Sequence, residues 1–431
     1  MFSGPYDNEG MGENRMLMPG AKARTVAADA VSKEMRLLEA AAQEFNARGI
    51  AGASIARIAR AMGLTRAAVY YYVKDRDALA SLCYAQSCAV MRADLEIALK
   101  QGRNGLDKLV VFSRFSLDPK RAPVAALSEL DYFTGRRRAE IAAAHTSNVE
   151  TLRGLIRGGV ADGSIRRCDD EIMAQTIIGI ITWIPLSVAW VEGTDETFRA
   201  RTADAFCDFI VNGQAADRDF EFESPIDIES FFPAAPHAFD REANAAAKIE
   251  QMLMTASRLF NRRGIDGTSL DDVMAALGAT KGTLYHYLDN KTDLVARCHK
   301  RAFMLYERFA DAAEKYGRNG LERGLIGTYL NIQAHARELS PLIQMAGVGA
   351  LPAAVKRDTT KRSRILQKRF RQFGVDGLAD GSFRAFDFDS QAQFGAGAFE
   401  WLPKWFRADD PRAKSVLAHE IISLFVKGLR A

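Results

Sequence analysis

Two stretches of this 431-residue sequence match each other: MRLLEAAAQEFNARGIAGASIARIARAMGLTRAAVYYYVKDRDAL at residues 35–79, and IEQMLMTASRLFNRRGIDGTSLDDVMAALGATKGTLYHYLDNKTDL at residues 249–294. The shared landmarks lie 215 positions apart (264 minus 49), with no gap: Phe45 and Phe260, Gly49 and Gly264, Gly63 and Gly278, Tyr70 and Tyr285, Leu79 and Leu294. A repeat of this length indicates that one structural unit occurs twice in the chain.

The match continues beyond these stretches. RNGL recurs at positions 103 and 318 with the same offset, whereas Trp183 and Trp401 are separated by 218 positions (401 minus 183). Copy two therefore contains about three extra residues. We expect copy one at residues 33–212 and copy two at residues 246–431, so that a whole two-part protein has been duplicated.

The composition is typical of a globular protein, with 48% hydrophobic and 26% charged residues. Residues 1–32 are predicted to form a flexible tail, and residues 213–245, rich in Asp, Glu, Ala and Pro, a linker. The five cysteines show no C-x-x-C spacing, no signal-peptide pattern is present, and the apolar run at 176–191 is too short to span a bilayer. We expect a cytoplasmic protein without disulfides, metal or membrane contact.

The first part of each copy has the pattern of three short helices. In copy one, apolar residues recur at helical spacing as far as Gly49. A second helix is predicted from Ser54 to Met62, Gly63 then allows a tight turn, and the hydroxyl of Thr65 can cap a third helix. Two short helices joined by such a turn are typical of a helix-turn-helix, whose second helix fits a DNA major groove.

Copy two repeats this pattern with stronger capping signals. Thr268 and Asp271 are predicted to form a pair resembling a capping box, and Gly278 and Thr280 occupy the turn and cap positions. Because copy one has Ala53 at the position of Thr268, we expect its second helix to be capped less well.

The pattern F-x-x-R-G-I…T/S…G-x-T-x-x-x-x-Y-x-Y…L occurs in both copies, and copy one also has Ala59 four residues before its glycine, where copy two has Met274. This pattern resembles the N-terminal domain of tetracycline-repressor-type (TetR) transcriptional regulators. The resemblance implies an all-α chain with DNA-binding domains at residues 33–80 and 246–295, followed by helical effector and dimerisation domains at 81–212 and 296–431. It also implies that double-stranded DNA is contacted by Arg57, Thr65, Arg66, Ala67, Tyr70, Tyr71 and Arg76 in copy one, and by Thr280, Lys281, Gly282, Tyr285, His286 and Lys291 in copy two.

The chemistry of these side chains fits that role. Arg66 and Lys281 can donate hydrogen bonds to guanine or phosphate, and the threonine and tyrosine hydroxyls can bond phosphate oxygens. Tyr72 and Tyr287 are expected to pack inward. The alternative interpretation, that the aromatic residues are only core and the basic residues only a solvated surface, is weakened because both copies keep the pattern in register.

The two DNA-binding heads differ in charge. Residues 33–80 contain eight basic and five acidic residues, net +3, whereas residues 248–295 contain six of each. Since phosphate neutralisation determines much of DNA affinity, we expect the first head to bind DNA more strongly. Because the residues predicted to contact bases also differ, we expect an operator with non-identical half-sites.

The second part of each copy is helical in pattern. The resemblance implies a ligand pocket there and two final helices that pair in a four-helix bundle. We expect the two copies to pair with each other as an intramolecular pseudo-dimer, and dimers of the whole chain are left open. An aromatic stripe, a candidate pocket or interface, contains Trp183, Trp190, Phe399, Trp401 and Trp405.

WLPKWFR in this stripe resembles a segment of relatives that respond to acyl-CoA thioesters, so the effector is expected to be a small, mostly apolar molecule such as an acyl-CoA. An enzyme is not expected, because phosphate-loop, dinucleotide, nucleophile-elbow and zinc-protease motifs are absent and no cofactor is indicated. A competing hypothesis is an interaction protein that has lost DNA binding in one or both heads, with the acidic Asp271 and Asp272 of head two as its weak support.

Overall fold

The computed structural model describes residues 20–187, 195–234, 237, 239–280, 287–343, 351–407 and 414–431. These residues form helices and turns, and within them no β-structure extends beyond isolated bridges. The prediction of an all-α chain is confirmed. Within these ranges each helix is also too short or too polar to span a bilayer.

The helices of copy one are α1 Gly20–Gly52, α2 Ile55–Ala61, α3 Arg66–Tyr72, α4 Arg76–Gln101, α5 Gly105–Ser116, α6 Gly135–Asp162, α7 Asp170–Ser187 and α8 Glu196–Asn212. Those of copy two are α9 Arg241–Arg263, α10 Leu270–Leu277, α11 Lys291–Tyr316, α12 Gly320–Ala336, α13 Ala353–Asp380, α14 Phe388–Phe394, α15 Gly397–Glu400, α16 Leu402–Trp405 and α17 Lys414–Lys427. Short 3₁₀ turns lie at Leu130–Tyr132 and Ile228–Phe231. The order of elements is thus repeated.

Two segments differ from the sequence-based expectation. The first helix begins at Gly20, inside the predicted tail, and is interrupted at Gly49, where φ is +71°. The linker is not a free spacer, because Ile228 and Phe231 are buried and the Phe231 ring lies 5.0 Å from that of Phe309. Apolar periodicity indicates helices. The linker packs through isolated apolar side chains without such a period, so its sequence does not indicate that it is docked.

The core shows how the two copies are joined. The head of copy one has its own apolar cluster around Phe45 and Val69, and a second cluster joins head two to α11–α13. A third cluster contains residues of both copies, among them Ile177 and Phe206 of copy one with Phe394 and Phe425 of copy two. Separating the copies would expose this shared core to water, which is strongly unfavourable.

Corresponding helices of the two copies differ in continuity. The α7 helix runs unbroken over 18 residues, whereas its counterpart in copy two consists of the three short helices α14, α15 and α16. Copy two has Gly395 where copy one has Ile177, two positions before the shared glycine. A second glycine weakens a helix by about 1 kcal/mol relative to alanine, which is consistent with a break at this point.

The contacts between the copies are reciprocal. A Cβ at Gly179 would lie 2.6 Å from Cβ of Trp401, and a Cβ at the equivalent Gly397 would lie 2.7 Å from Cβ of Trp183. Each glycine of the pair lets a helix backbone approach a tryptophan of the other copy. The two copies are therefore related by an approximate twofold axis that passes through this crossing.

The segment after the last helix of each copy is exchanged. Residues 213–215 fall in the predicted linker but continue copy one in the structure, where Ala215 pairs with Phe383 of copy two. In the reciprocal pair, Arg430 of copy two pairs with Ile165 of copy one. Two arginines at equivalent positions close these exchanged turns: Arg384 Nε donates to Gly213 O at 2.8 Å, and Arg166 Nε donates to Gly428 O at 2.7 Å. The segment that follows the last helix of each copy thus packs on the turn that precedes α7 or α14 in the other copy.

Candidate functional site

The helix-turn-helix of head one is built by local capping. Ser54 caps α2 by accepting from the Arg57 N–H, Gly63 adopts φ of +67°, and Thr65 caps α3 by accepting from the Ala68 N–H at 3.2 Å. Val69 is fully buried and fixes α3 on the head's core. The opposite face of α3 therefore points away from the protein.

That outward face carries a cationic and aromatic cluster. Tyr71 is 88% exposed and Tyr70 is 40% exposed. Arg66 Nη2 donates to the Tyr70 hydroxyl at 3.0 Å, and its guanidinium lies 5.5 Å from the ring centroid. Thr65 and Ala67 are also exposed. The structure thus places these five residues on one free surface, and their contact with DNA stays a prediction, as does that of the other assigned residues.

Arg57 and Arg76 have intramolecular partners in this structure. Arg57 Nε donates to Glu44 at 2.6 Å, and Arg76 donates to the Ala51 carbonyl at 2.5 Å and to the Tyr132 hydroxyl at 3.2 Å. Arg76 therefore links head one to the 3₁₀ turn below it. These bonds hold the two arginines close to the protein surface, in contrast to the freer Arg66.

In head two, Lys281, Gly282, Tyr285 and His286 lie outside the described residues. Thr280 is exposed, and Lys291 lies 4.0 Å from Asp266. The inward packing expected of Tyr72 and Tyr287 is observed, since both contact the cores of their heads.

The predicted capping pair of head two was wrong by one residue. Ser269 is the N-cap of α10 and forms a capping box with Asp272, while Thr268 is buried and donates to the Gly264 carbonyl. Hydrogen bonds from Ser269 lower the pKa of Asp272. Copy one has Arg57 where copy two has Asp272. Copy one therefore lacks the capping box because Arg57 occupies the position of Asp272, and Ala53 is not the cause.

The two heads meet at Glu129, which the sequence analysis did not identify. The Ile50 N–H donates to Glu129 at 2.6 Å, and a Cβ at either Gly49 or the equivalent Gly264 would lie 2.9 Å from its Oε1. Burial raises the pKa of Glu129, opposed by the bond from Ile50 and by nearby Lys404. Glu129 comes from an irregular segment of copy one, and no local pattern indicates that it contacts both heads.

Each copy contains a cavity that is completed by the other copy. In copy two a cavity of about 140 Å³ is lined by α11–α13 and by Trp183 of copy one. In copy one a cavity of about 100 Å³ is lined by α4–α7 and by Trp401 of copy two. Because Trp183 and Trp401 are equivalent positions, the two cavities are related by the same approximate symmetry.

The predicted aromatic stripe is distributed between core and cavities. Trp183 and Trp401 are each 7% exposed, and Phe399 lines the larger cavity. Trp405 packs against the shared core with its ring 5.6 Å from that of Phe406. Trp190 lies outside the described residues. The stripe thus forms part of the interface between copies as well as part of the cavity walls.

The described residues contain no group of three or more His, Cys, Asp or Glu side chains arranged to hold a metal ion. The five cysteines are unpaired. Burial raises the pKa of Cys83, Cys207 and Cys298 to about 12, so these thiols stay protonated and unreactive near neutral pH.

His335 makes the fold sensitive to acid. It is 5% exposed, its ring stacks 6.0 Å from Phe399, and burial lowers its pKa from 6.5 to about 3. Between these pKa values the unfolded chain binds a proton that the folded chain excludes, so stability falls as the pH falls below 6.5. When the pH is lowered from 7 to 5, we expect the free energy of unfolding of His335→Phe to fall by about 2 kcal/mol less than that of the parent protein. Urea unfolding at both pH values measures this difference, and equal losses in the two proteins would contradict it.

Comparison with known proteins supports the duplicated organisation. The family model "Bacterial regulatory proteins, tetR family" matches residues 37–82 and 253–298, and "Tetracyclin repressor-like, C-terminal domain" matches residues 108–213 and 323–429. These four segments cover well over half of the chain.

Individual relatives each match about half of the chain. The HTH-type transcriptional repressor KstR2 of Mycolicibacterium smegmatis is 22% identical over 200 residues, which are 44% of this chain and 94% of KstR2. PfmR of Thermus thermophilus, a solved structure, is 21% identical, with a TM-score of 0.35 over 41% of this chain and 96% of PfmR. The structure of AibR with isovaleryl coenzyme A and operator DNA is 21% identical, with a TM-score of 0.35 over 41% of this chain and 98% of AibR. Nearly the full length of KstR2 thus matches about half of this chain.

Proposed function

Because the chain belongs to the tetR family of bacterial regulatory proteins and carries both parts of that family twice, it is a DNA-binding transcriptional regulator, and we propose that it is a repressor released by a small ligand. In this proposal a single chain spans one operator in the cytoplasm, with its two heads on successive major-groove faces. The shared core is the observation that carries the proposal, since it holds the two copies together as one body.

The reciprocal contacts support a fixed spacing between the heads. The crossing of Gly179 with Trp401 and of Gly397 with Trp183 joins the copies at their effector domains, and Glu129 joins them at the heads. Two heads that bind half-sites on DNA must keep a defined separation, because half-sites are spaced by about one helical turn. An arrangement anchored at both ends can keep that separation without a second chain.

We propose that the two heads contribute unequally to the affinity for DNA. Arg57 of head one is replaced by Asp272 in head two, and Lys74 by Asp289, so two cations become two anions at equivalent positions. Each lost phosphate contact weakens binding and flattens its dependence on salt. We therefore propose an operator whose two half-sites differ in sequence, with the half-site of head one contributing most of the affinity.

The effector is proposed to enter one of the two cavities. Both are lined mainly by apolar side chains of the effector domains, together with a few polar groups, as is usual for small-molecule sites. Each cavity includes a tryptophan from the crossing between the copies. A ligand that displaces Trp183 or Trp401 would change that crossing and, through it, the separation of the heads.

Binding of the purified chain to fragments of its own upstream DNA tests this proposal. We expect specific binding that weakens steeply with salt, a complex of one chain per operator by sedimentation, and release by an acyl-CoA mixture. A complex of two chains per operator would contradict the single-chain arrangement. No specific binding to any fragment would favour the hypothesis of an interaction protein.

A further inference from the structure

The larger cavity is built by both copies. Leu366 and Phe370 line it from copy two, whereas Trp183 and Gln214 come from copy one. Gln214 follows the last helix of copy one, in the exchanged turn, where its backbone N–H donates to the Phe425 carbonyl at 2.8 Å. The exchange of chain ends therefore places a copy-one amide in the wall of a copy-two cavity.

Two amides in this wall have unsatisfied atoms. Gln214 and Asn331 are 2% and 3% exposed, and neither Gln214 Nε2 nor Asn331 Oδ1 has a hydrogen-bond partner among the described residues. Asn331 Nδ2 donates to the Gly327 carbonyl at 2.8 Å, which fixes the orientation of that amide. Because buried polar atoms are normally hydrogen-bonded, a donor and an acceptor left open in one cavity indicate a ligand with complementary groups.

The volume of the cavity and the charges of its lining residues limit the class of ligand that it can bind. The cavity of about 140 Å³ is close to the roughly 150 Å³ that accommodates benzene in an engineered protein cavity. Among its described lining residues, only Arg371 carries a charge, and it is paired with Asp389. A charged ligand group would have no counter-charge inside, and burying such a group is unfavourable.

We infer that this cavity binds, once per chain, an uncharged small molecule with a short acyl or aryl group and a neutral carbonyl beside a hydrogen-bond donor. The carbonyl oxygen accepts from Gln214, and the donor binds Asn331 Oδ1. The inference names the ligand class of this cavity, from which the charged phosphates of an acyl-CoA exclude that molecule, and it rests on the proposed function for its regulatory meaning.

The smaller cavity of copy one differs in chemistry. Ser116 stands where copy two has Asn331. The reciprocal bridges make Ala215 equivalent to Arg430, so Leu429 stands where copy one has Gln214. The Ser116 hydroxyl donates to Asp94, which also accepts from Arg121 at 2.5 Å. This cavity therefore lacks the open amide pair, and His145, whose Nδ1 has no partner among the described residues, lines it instead. The same ligand is not expected to bind in both places.

The test uses the full chain and three probes of similar shape: benzamide, benzoate and toluene. Ligand-observed NMR titration gives affinities and the number of sites, and a crystal soaked with benzamide locates the probe. We expect one benzamide per chain, bound at least tenfold more tightly than benzoate or toluene. Gln214→Leu and Asn331→Ser, which introduce the residues of the other copy, are each expected to weaken benzamide binding about fivefold.

Thr182→Val, in the smaller cavity, is the matched control and is expected to bind benzamide as the parent protein does. Equal binding of benzamide and benzoate, two sites per chain, no binding at all, or full affinity in folded Gln214→Leu and Asn331→Ser would overturn the inference. Operator binding is measured separately on the same preparations without probe. A chain that binds benzamide but no DNA would refute the proposed function alone, whereas one that binds DNA but no benzamide would refute the ligand class alone.

Discussion

Arg66→Glu is expected to weaken operator binding roughly 100-fold, or about 3 kcal/mol. Arg66 is exposed on the outward face of α3, and among the described residues its hydrogen bonds are to Tyr70 alone, so reversing its charge should leave the fold intact. At a DNA surface the change removes an attraction and adds a repulsion. Fluorescence anisotropy with a labelled operator at several salt concentrations measures the loss, which should shrink as salt rises.

Arg167→Glu is the matched control for this charge reversal. Arg167 is exposed beyond the far end of α6, a 28-residue helix that starts beside head one and is about 40 Å long. We expect its effect on affinity to be no more than about threefold, because salt screens charges at that distance. Equal losses for both variants would mean that α3 of head one does not contact DNA.

The double variant Lys281→Ala with Tyr285→Phe examines head two by the same assay. We expect a loss of about tenfold, smaller than that of Arg66→Glu, because head two carries no net positive charge. Unchanged affinity would mean that head two does not bind DNA, as the interaction-protein hypothesis holds for that head.

Gly179→Leu is expected to lower the free energy of unfolding by about 4 kcal/mol. Any Cβ at this position would lie 2.6 Å from Cβ of Trp401 and 2.8 Å from the Gly397 carbonyl, and a leucine adds three further carbons. Both contacts are with rigid parts of the other copy, so the two helices would have to separate and open the shared core. Urea unfolding followed by circular dichroism measures the change.

Gly154→Leu provides the control, since Gly154 lies in the middle of α6, is exposed and has no atom within 4 Å of a Cβ. Leucine favours the helical state over glycine, so this variant should match or exceed the parent stability by up to about 1 kcal/mol. If both variants unfolded alike, the crossing of Gly179 with Trp401 would not hold the copies together.

The features that could be predicted from sequence are those with a local period or a repeated landmark. The offset of 215 identified the duplication, and the spacing from Ser54 to Thr65 identified the helix-turn-helix and the Thr65 cap of its second helix. Each of these depends on residues close to one another in the chain. The side chains assigned to the outward face of α3 came from the resemblance to the TetR family, and the buried Val69 on the opposite face agrees with that assignment.

The features that could not be predicted depend on distant contacts. Glu129 approaches Gly264 from 135 positions away, and Gln214 enters a wall made mostly of copy-two residues. In each case tertiary packing, and not the propensity of the segment itself, determines the outcome.

The exchanged turns also determine how late during translation the contacts between the two copies can form. Ile165 cannot meet Arg430 until about 265 further residues have been translated, which takes roughly 15–50 s at 5–20 residues per second. During that interval the first copy has left the ribosome with apolar side chains such as Phe206 and Ile210 still without their partners from copy two. We therefore expect nascent chains of this protein to expose this apolar surface until the second copy is made, so slowing translation of the second half should increase their aggregation.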